Sequence, residues 1–385
     1  MSRIKSEWIL TIIVITQFCC TSLWFGSNAV VSELAKALGA SDGLTAQLTS
    51  FVQFGFISGT LVFAFYGISD RYSPSKVFFW SAICGALFNL LVIFSGHTWL
   101  TLSFRFLTGF FLAGVYPVGM KIAADYFEKG LGKSLGFLVG ALVLGTAFPH
   151  LAKGALAGFQ WQYVLVLLSG LAMAGGTVMF LLVPDGPYRK KGQKIDLAAL
   201  KGIWKNVNLR KAAFGYFGHM WELYTFWTFV PLIWVSYGRA HATHINTSLY
   251  SFVVIGIGAI ACIIGGFLSE RFGPKRIAKL AIGISGCCCL LFPMAFSLPI
   301  LPFFAFLLIW GTSVIMDSPL FSTLVAQSSY AETRGTAITM VNCIGFSLTI
   351  LSIQLTNLLI SSIGLPYALG LLAVGPIIGL WTNRS

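Results

Sequence analysis

Apolar runs of about twenty residues follow one another along nearly the whole chain, and that succession constrains the fold more than any motif does. A helix of about 22 residues, rising roughly 1.5 Å each, spans about 33 Å and so crosses the hydrocarbon of a bilayer. Twelve such segments can be drawn, at residues 8–31, 45–68, 77–95, 99–122, 133–153, 160–183, 211–235, 246–268, 277–297, 301–325, 335–360 and 364–382. Soluble domains hold about a quarter of their residues charged. Here only 10% are charged and 57% are hydrophobic, too little polar surface to cover these runs in water. The expected fold is an all-α polytopic membrane protein with twelve transmembrane helices. The connections at Gly96-His97 and Ser297-Leu-Pro299 read either as turns or as breaks in longer helices. Ala35-Lys36-Ala37 resembles a signal-peptidase site, but the apolar run before it is too long for a leader, so it is taken as the first span.

The formal charge of +13 points to membrane orientation and away from nucleic acid. With the amino terminus inside, nearly all basic residues fall at inner ends. Only Lys36, Lys153 and Arg239 fall at outer ends, and Arg105 lies within a span. This is the lysine and arginine asymmetry of cytoplasmic loops. It predicts an integral protein of a bacterial inner membrane with both termini cytoplasmic, the lipid bilayer as partner, and a monomer. The eight cysteines lie in apolar runs without metal-type spacing and read as small apolar residues, with no metal site expected.

The one long polar connection, Pro184 to Leu209, holds Lys190, Lys191, Lys194, Lys201 and Lys205 and divides the spans six and six. The expected domains are residues 1–183, a cytoplasmic linker at 184–209, and residues 210–385. Leu197, Leu200, Ile203 and Trp204 read either as a short amphipathic helix on the membrane surface or as plain linker. Asp70, Arg71 and Pro74 recur 200 positions on as Glu270, Arg271 and Pro274, and Pro117 recurs as Pro319 at an offset of 202. A near-constant offset argues for duplication, with the working site where the repeats meet.

At these residues the chain resembles the major facilitator superfamily, across nearly its full length. The loops Gly67-Ile-Ser-Asp70-Arg71 to Lys76 and Gly266-Phe-Leu-Ser-Glu270-Arg271 to Arg276 resemble that family's Gly-x-x-x-Asp-Arg loop, although Gly67 leaves only two residues before Asp70 and Pro74 interrupts the basic tail. Arg105 to Gly114 resembles its Arg-x-x-x-Gly-x-x-x-Ala signature. The drug-antiporter signature of span five is met only by Gly136, Gly140 and Gly145, without a Gly-Pro pair, which disfavours drug efflux. The resemblance implies two pseudo-symmetric six-helix halves, a central cavity lined by the first, fourth, seventh and tenth spans, and alternating access. It also implies that Asp70, Arg71, Lys76, Glu270 and Arg271 gate by locking the halves in one state.

Of the twelve acidic residues, Glu222 and Asp317 alone lie deep within spans. A charge at that depth costs about 2.5–3.5 kcal/mol or more, so it marks function by default. Burial disfavours the charged form, so either carboxyl group is suited to proton exchange near neutral pH. The plainer reading is a static ion pair or a bond to backbone freed at Pro319. His219, one turn before Glu222 on the same face, serves as a proton relay or as a structural histidine. Arg105 holds an anionic solute or pairs with a carboxylate, or else tunes helix packing, and Tyr116 shares its face. Gly109 and Ala113 read as close-packing positions.

Gln17, Thr21, Trp24 and Asn28 form one polar stripe on the first span, and Gln17, Trp24 and Asn28 are expected in the solute cavity. Trp221, Tyr224 and Trp227 read as a stacking surface or as packing, with Trp310 and Asn342 as further cavity candidates. His150, His241 and His244 have no assigned role. The expected function is a secondary active transporter for a small organic solute, anionic or zwitterionic, proton-coupled through Glu222, Asp317 and His219 by symport or antiport. The alternatives are a multidrug or metabolite exporter and an uncoupled facilitator. No hydrolase or metalloprotease motif occurs, so no enzyme activity is expected, and no cofactor beyond the coupling proton.

Overall fold

The computed structural model describes residues 6–40, 43–127, 131–189, 204–330 and 333–383. The helices are α1 (Ser6–Thr21), α2 (Gly26–Ala29), α3 (Val31–Leu38), α4 (Leu44–Phe65), α5 (Ile68–Arg71), α6 (Pro74–Leu91), α7 (Thr98–Leu112), α8 (Tyr116–Tyr126), α9 (Leu131–Ala155) and α10 (Gln162–Leu182). They continue as α11 (Val207–Ala240), α12 (Thr247–Phe272), α13 (Pro274–Ala295), α14 (Ile300–Met316), α15 (Ser318–Ser328), α16 (Arg334–Ile363), α17 (Leu365–Gly370) and α18 (Val374–Thr382). No strand occurs among the described residues. Ten helical segments are long and apolar enough to cross a membrane by length and composition. The two other expected spans are the broken first helix and α11, which carries His219 and Glu222.

Contacts divide the chain into two compact units, Met1–Lys194 and Ile195–Ser385. In the first, α4 packs along α7, α6 along α10, and α1 against α9 and α10. In the second, α12 packs along α14, and α11 against α16 and α18. Of the expected amphipathic segment at 197–204, all but Trp204 lies outside the described residues.

Both uncertain connections are turns between separate helices. Gly96 adopts a φ of 65° that disfavours a side chain, and Pro299 sets the start of α14. Asn206 starts α11 ahead of the expected 211, because its side-chain oxygen accepts from the backbone N–H groups of Asn208 at 3.0 Å and Leu209 at 3.2 Å.

Four spans are interrupted, the twelfth only by a 3₁₀ turn at Leu371–Ala373. The first stops at Thr21, where 3₁₀-type bonds such as Trp24 N–H to Thr21 O at 3.0 Å tighten the chain before α2. The fourth breaks between Leu112 and Tyr116, and the tenth breaks at Asp317. Pro117 and Pro319 each stand second in the helix that follows, where a missing N–H is tolerated. Pro319 cannot donate to the carbonyl of Ile315. Cys262 instead donates its thiol there, at 3.7 Å.

The repeat survives in backbone detail. A Cβ at Gly109 would overlap the carbonyl oxygen of Val52, and one at Gly311 would overlap that of Val254. Both pairs are related by an offset of 202. At each the bare glycine lets two helices approach backbone to backbone. Gly109→Ala is therefore expected to lower stability by about 1–3 kcal/mol, the range for overpacking. Thermal unfolding of the purified protein checks this against Gly170→Ala, where nothing lies within 4 Å of the added atom. Equal melting of the two variants would refute the contact.

Candidate functional site

The ionisable residues of the second unit converge from three spans. On α11, His219, Glu222 and Phe226 fall at i, i+3 and i+7, one face of the helix. Opposite them stand Ser285 and Cys289 on α13, Trp310 on α14, and Asp317 at the joint between α14 and α15.

Glu222 is 1% exposed and accepts three hydrogen bonds. The Trp310 indole N–H donates to Oε1 at 2.6 Å, the Cys289 thiol to Oε1 at 3.2 Å, and the Ser285 hydroxyl to Oε2 at 2.9 Å. Phe226 stacks on Trp310 with ring centroids 4.3 Å apart, which fixes the indole toward the carboxylate. The donors are neutral, so the carboxylate is solvated by protein without a cation beside it.

His219 and Asp317 form a second centre. Nδ1 lies 2.7 Å from Oδ1, with each side chain 1% exposed. The remaining polar atoms of the pair, Nε2 of His219 and Oδ2 of Asp317, have no hydrogen-bond partner among the described residues. A buried ion pair is favourable only when its remaining lone pairs and protons are also bonded. Here that capacity is unspent, and it sits where the tenth span is interrupted.

The first unit buries one cation. Arg105 is fully buried. Its Nη1 donates to Leu23 O at 3.2 Å and to Asn89 Oδ1 at 3.0 Å, and its Nη2 donates to Trp24 O. Asn89 in turn donates to Ser169 Oγ at 3.0 Å. The guanidinium thus donates to carbonyls just beyond the end of α1, where the first span breaks, while its Nε has no partner among the described residues. Among the described residues no carboxylate pairs with it. The geometry is that of the packing alternative. The break at 113–115 also means that Tyr116, half-buried at the start of α8, does not share an unbroken helical face with Arg105.

The polar stripe of the first span is likewise split by the break after Thr21. Gln17 is fully buried, and its amide has no hydrogen-bond partner among the described residues. Asn28 donates to Thr49 Oγ1 at 2.7 Å, and Trp24 packs on Phe56 with centroids 4.9 Å apart. In the second unit Trp221 packs against Gly375 on α18. Tyr224 meets Trp227 edge-on at 5.4 Å and Phe346 at 5.3 Å. Asn342 is half-buried on α16.

The two repeated inner loops differ. Asp70 pairs with Lys121 at 2.8 Å within its own unit. Arg189 donates to the carbonyls of Asp70 at 3.2 Å and Tyr72 at 2.7 Å and pairs with Asp185. Arg71 and Lys76 are exposed. The position equivalent to Lys121 is Thr323, and Glu270 is exposed without an ion pair among the described residues. Arg271 lies over the Phe272 ring at 5.2 Å. His150 is buried with Nε2 unpartnered, whereas His241 stacks on Tyr237 at 4.0 Å.

Two site residues escape a reading built on charge. Ser285 and Cys289 look apolar-compatible in an apolar run. Their only signal is their spacing of four, which puts a hydroxyl and a thiol on one helix face. The thiols of Cys289 and Cys262 act as donors here, which corrects the reading of these cysteines as merely apolar.

Arg105→Lys removes the fork that spans two carbonyls and Asn89. It is expected to lose about 1.5–3 kcal/mol, the worth of a charged hydrogen bond. Thermal unfolding measures this, and an unchanged melting temperature would contradict the clamp.

Comparison with known proteins places these features in a family. The family model described as Major Facilitator Superfamily matches residues 13–353. An uncharacterized transporter of Schizosaccharomyces pombe, mfc1, is 25% identical over 51% of this chain and 41% of its own length. A gentisate transporter of Corynebacterium glutamicum is 22% identical over 87% of this chain and 77% of its own. A probable nitrate/nitrite antiporter of Thermus thermophilus is 26% identical over 73% of this chain and 65% of its own. The fold is similar to the crystal structure of a bacterial homolog of the human lysosomal transporter Spinster. The TM-score is 0.74 with 14% identity, covering 98% of this chain and 96% of that one.

Proposed function

The chain belongs to the Major Facilitator Superfamily, and we propose that it is a secondary active transporter that moves a small organic anion or zwitterion by alternating access, coupled to protons. One observation carries the coupling: the buried His219–Asp317 pair with its hydrogen-bonding capacity unspent. Holding one proton between them, the two side chains are neutral in sum and tolerate a low dielectric. Losing that proton leaves a net negative charge that needs water or a cation. The two proton occupancies therefore differ in the surroundings they tolerate, and that difference lets a proton gradient bias a conformational equilibrium. Glu222 is the second coupling group in this reading, held apart by its own donors.

An anionic solute fits this arithmetic, because a proton taken up with it offsets its charge. Two of the matched relatives are named for the anions gentisate and nitrate or nitrite, which supports the same class. The indole and phenol groups of Trp221, Tyr224 and Trp227 suit an aromatic or planar solute. Asp70 and Lys121 would act at the inner side by a pair made in one state and broken in another. Pairs near the surface contribute about 1 kcal/mol or less alone, so the weight of this half-buried one lies in that difference. The setting proposed is a bacterial inner membrane with cytoplasmic termini.

The test is uptake into reconstituted vesicles from a panel of small organic anions that includes gentisate, with and without an uncoupler. In Asp317→Asn, solute exchange is expected to persist while accumulation driven by a pH gradient is lost. Normal accumulation in that variant would remove the coupling role. Wild-type uptake that ignores the uncoupler would favour the uncoupled facilitator.

A further inference from the structure

We infer that Ser285 is a positioning residue that lets Glu222 gain and lose a proton without moving a helix. This deepens the coupling reading, on which its part in transport rests. The reasoning starts from which donors can reverse. The Trp310 indole N–H can only donate, so Oε1 of Glu222, 2.6 Å away, must remain an acceptor in either protonation state. The Cys289 thiol lies at 3.2 Å from the same oxygen. The oxygen that faces a fully reversible partner, Oε2, is therefore the favoured seat for a proton arriving at Glu222.

Oε2 faces the Ser285 hydroxyl at 2.9 Å. A hydroxyl donates one hydrogen and accepts through two lone pairs, and its hydrogen rotates to suit. Ser285 Oγ also lies 3.2 Å from the carbonyl oxygen of Ile282 on its own helix. With Glu222 ionised, the Ser285 hydrogen points at Oε2. With Glu222 protonated, that hydrogen turns to Ile282 O, and the new Oε2–H donates to Ser285 Oγ. One proton is gained, no bond between heavy atoms changes, and both states keep every polar atom bonded. The 2.9 Å separation serves either direction.

The surrounding titratable groups leave this geometry intact. Cys288 and Cys289 face Glu222 from α13, Asp317 from the joint of α14 and α15, and His219 lies one turn earlier on α11. Cys262 on α12 lies toward Asp317. Among the described residues no lysine or arginine joins them, so no fixed cation there holds Glu222 in its charged form. The contrast with His219–Asp317 is chemical. Glu222 is satisfied in both proton states, whereas the pair is not.

Infrared difference spectra of the purified full-length protein, taken between acidic and alkaline buffer, test this without any solute. Glu222→Gln identifies the protonated-carboxyl band that belongs to Glu222. Ser285→Ala is expected to shift that band to higher frequency, because its hydroxyl partner is gone, while Ser285→Thr keeps the hydroxyl and returns the band toward its wild-type place. A merely structural serine would leave the band unmoved in the alanine variant. Two results would overturn the inference: no band lost in Glu222→Gln, or an identical band in Ser285→Ala and wild type. Because the spectra involve no transport, they stand or fall apart from the vesicle uptake of Asp317→Asn.

Discussion

Hydrocarbon offers a polar atom nothing to bond to, so every buried donor and acceptor in this chain must find its partner in protein or in water that enters. That constraint accounts for most of the unusual features of the molecule. Where the first span breaks, the carbonyls of Leu23 and Trp24 accept from a buried guanidinium, that of Arg105. Pro319 leaves the carbonyl of Ile315 without its usual donor, and a thiol supplies one. Glu222 is surrounded by an indole, a thiol and a hydroxyl. The His219–Asp317 pair leaves polar atoms of both its members unpartnered among the described residues, and so costly an arrangement is where function is best sought.

The two units share a frame and differ in chemistry. Glycine meets the same carbonyl position in both, at Gly109 with Val52 and at Gly311 with Val254. At the same offset of 202, Arg105 corresponds to Leu307, Val115 to Asp317, and Lys121 to Thr323. One unit therefore buries a cation that holds backbone and keeps a charge cluster around Asp70. The other buries carboxyl groups and leaves Glu270 exposed. Packing positions are constrained by helix approach and resist change, whereas the polar positions are free to specialise.

Much of this was legible before any coordinates. Run length and the placement of lysine and arginine pointed to a helical membrane protein, and the recurrence of an acidic residue, arginine and proline pointed to two repeated halves. The depth of Glu222 and Asp317 singled them out, because charge in a span is costly enough to be informative. The partners of these groups were hidden for a physical reason. Ser285 and Cys289 cost little to place in lipid, so composition raises no flag at them. Arg105 was visible but ambiguous, since a guanidinium that binds a carbonyl looks in sequence like one that binds a solute. The stripe from Gln17 to Asn28 assumed an unbroken helix, and neither glycine nor proline marks the break after Thr21 until Gly26.

The claim at the centre is that the unsatisfied His219–Asp317 pair exchanges a proton as solute binds. Its most direct test is to count protons taken up or released when a small organic anion is added to the purified protein in unbuffered solution. Wild type is expected to exchange protons with saturating dependence on the anion, and Asp317→Asn to bind the anion with that exchange abolished. Binding with no proton exchange in wild type, or with the same exchange in the variant, would contradict it.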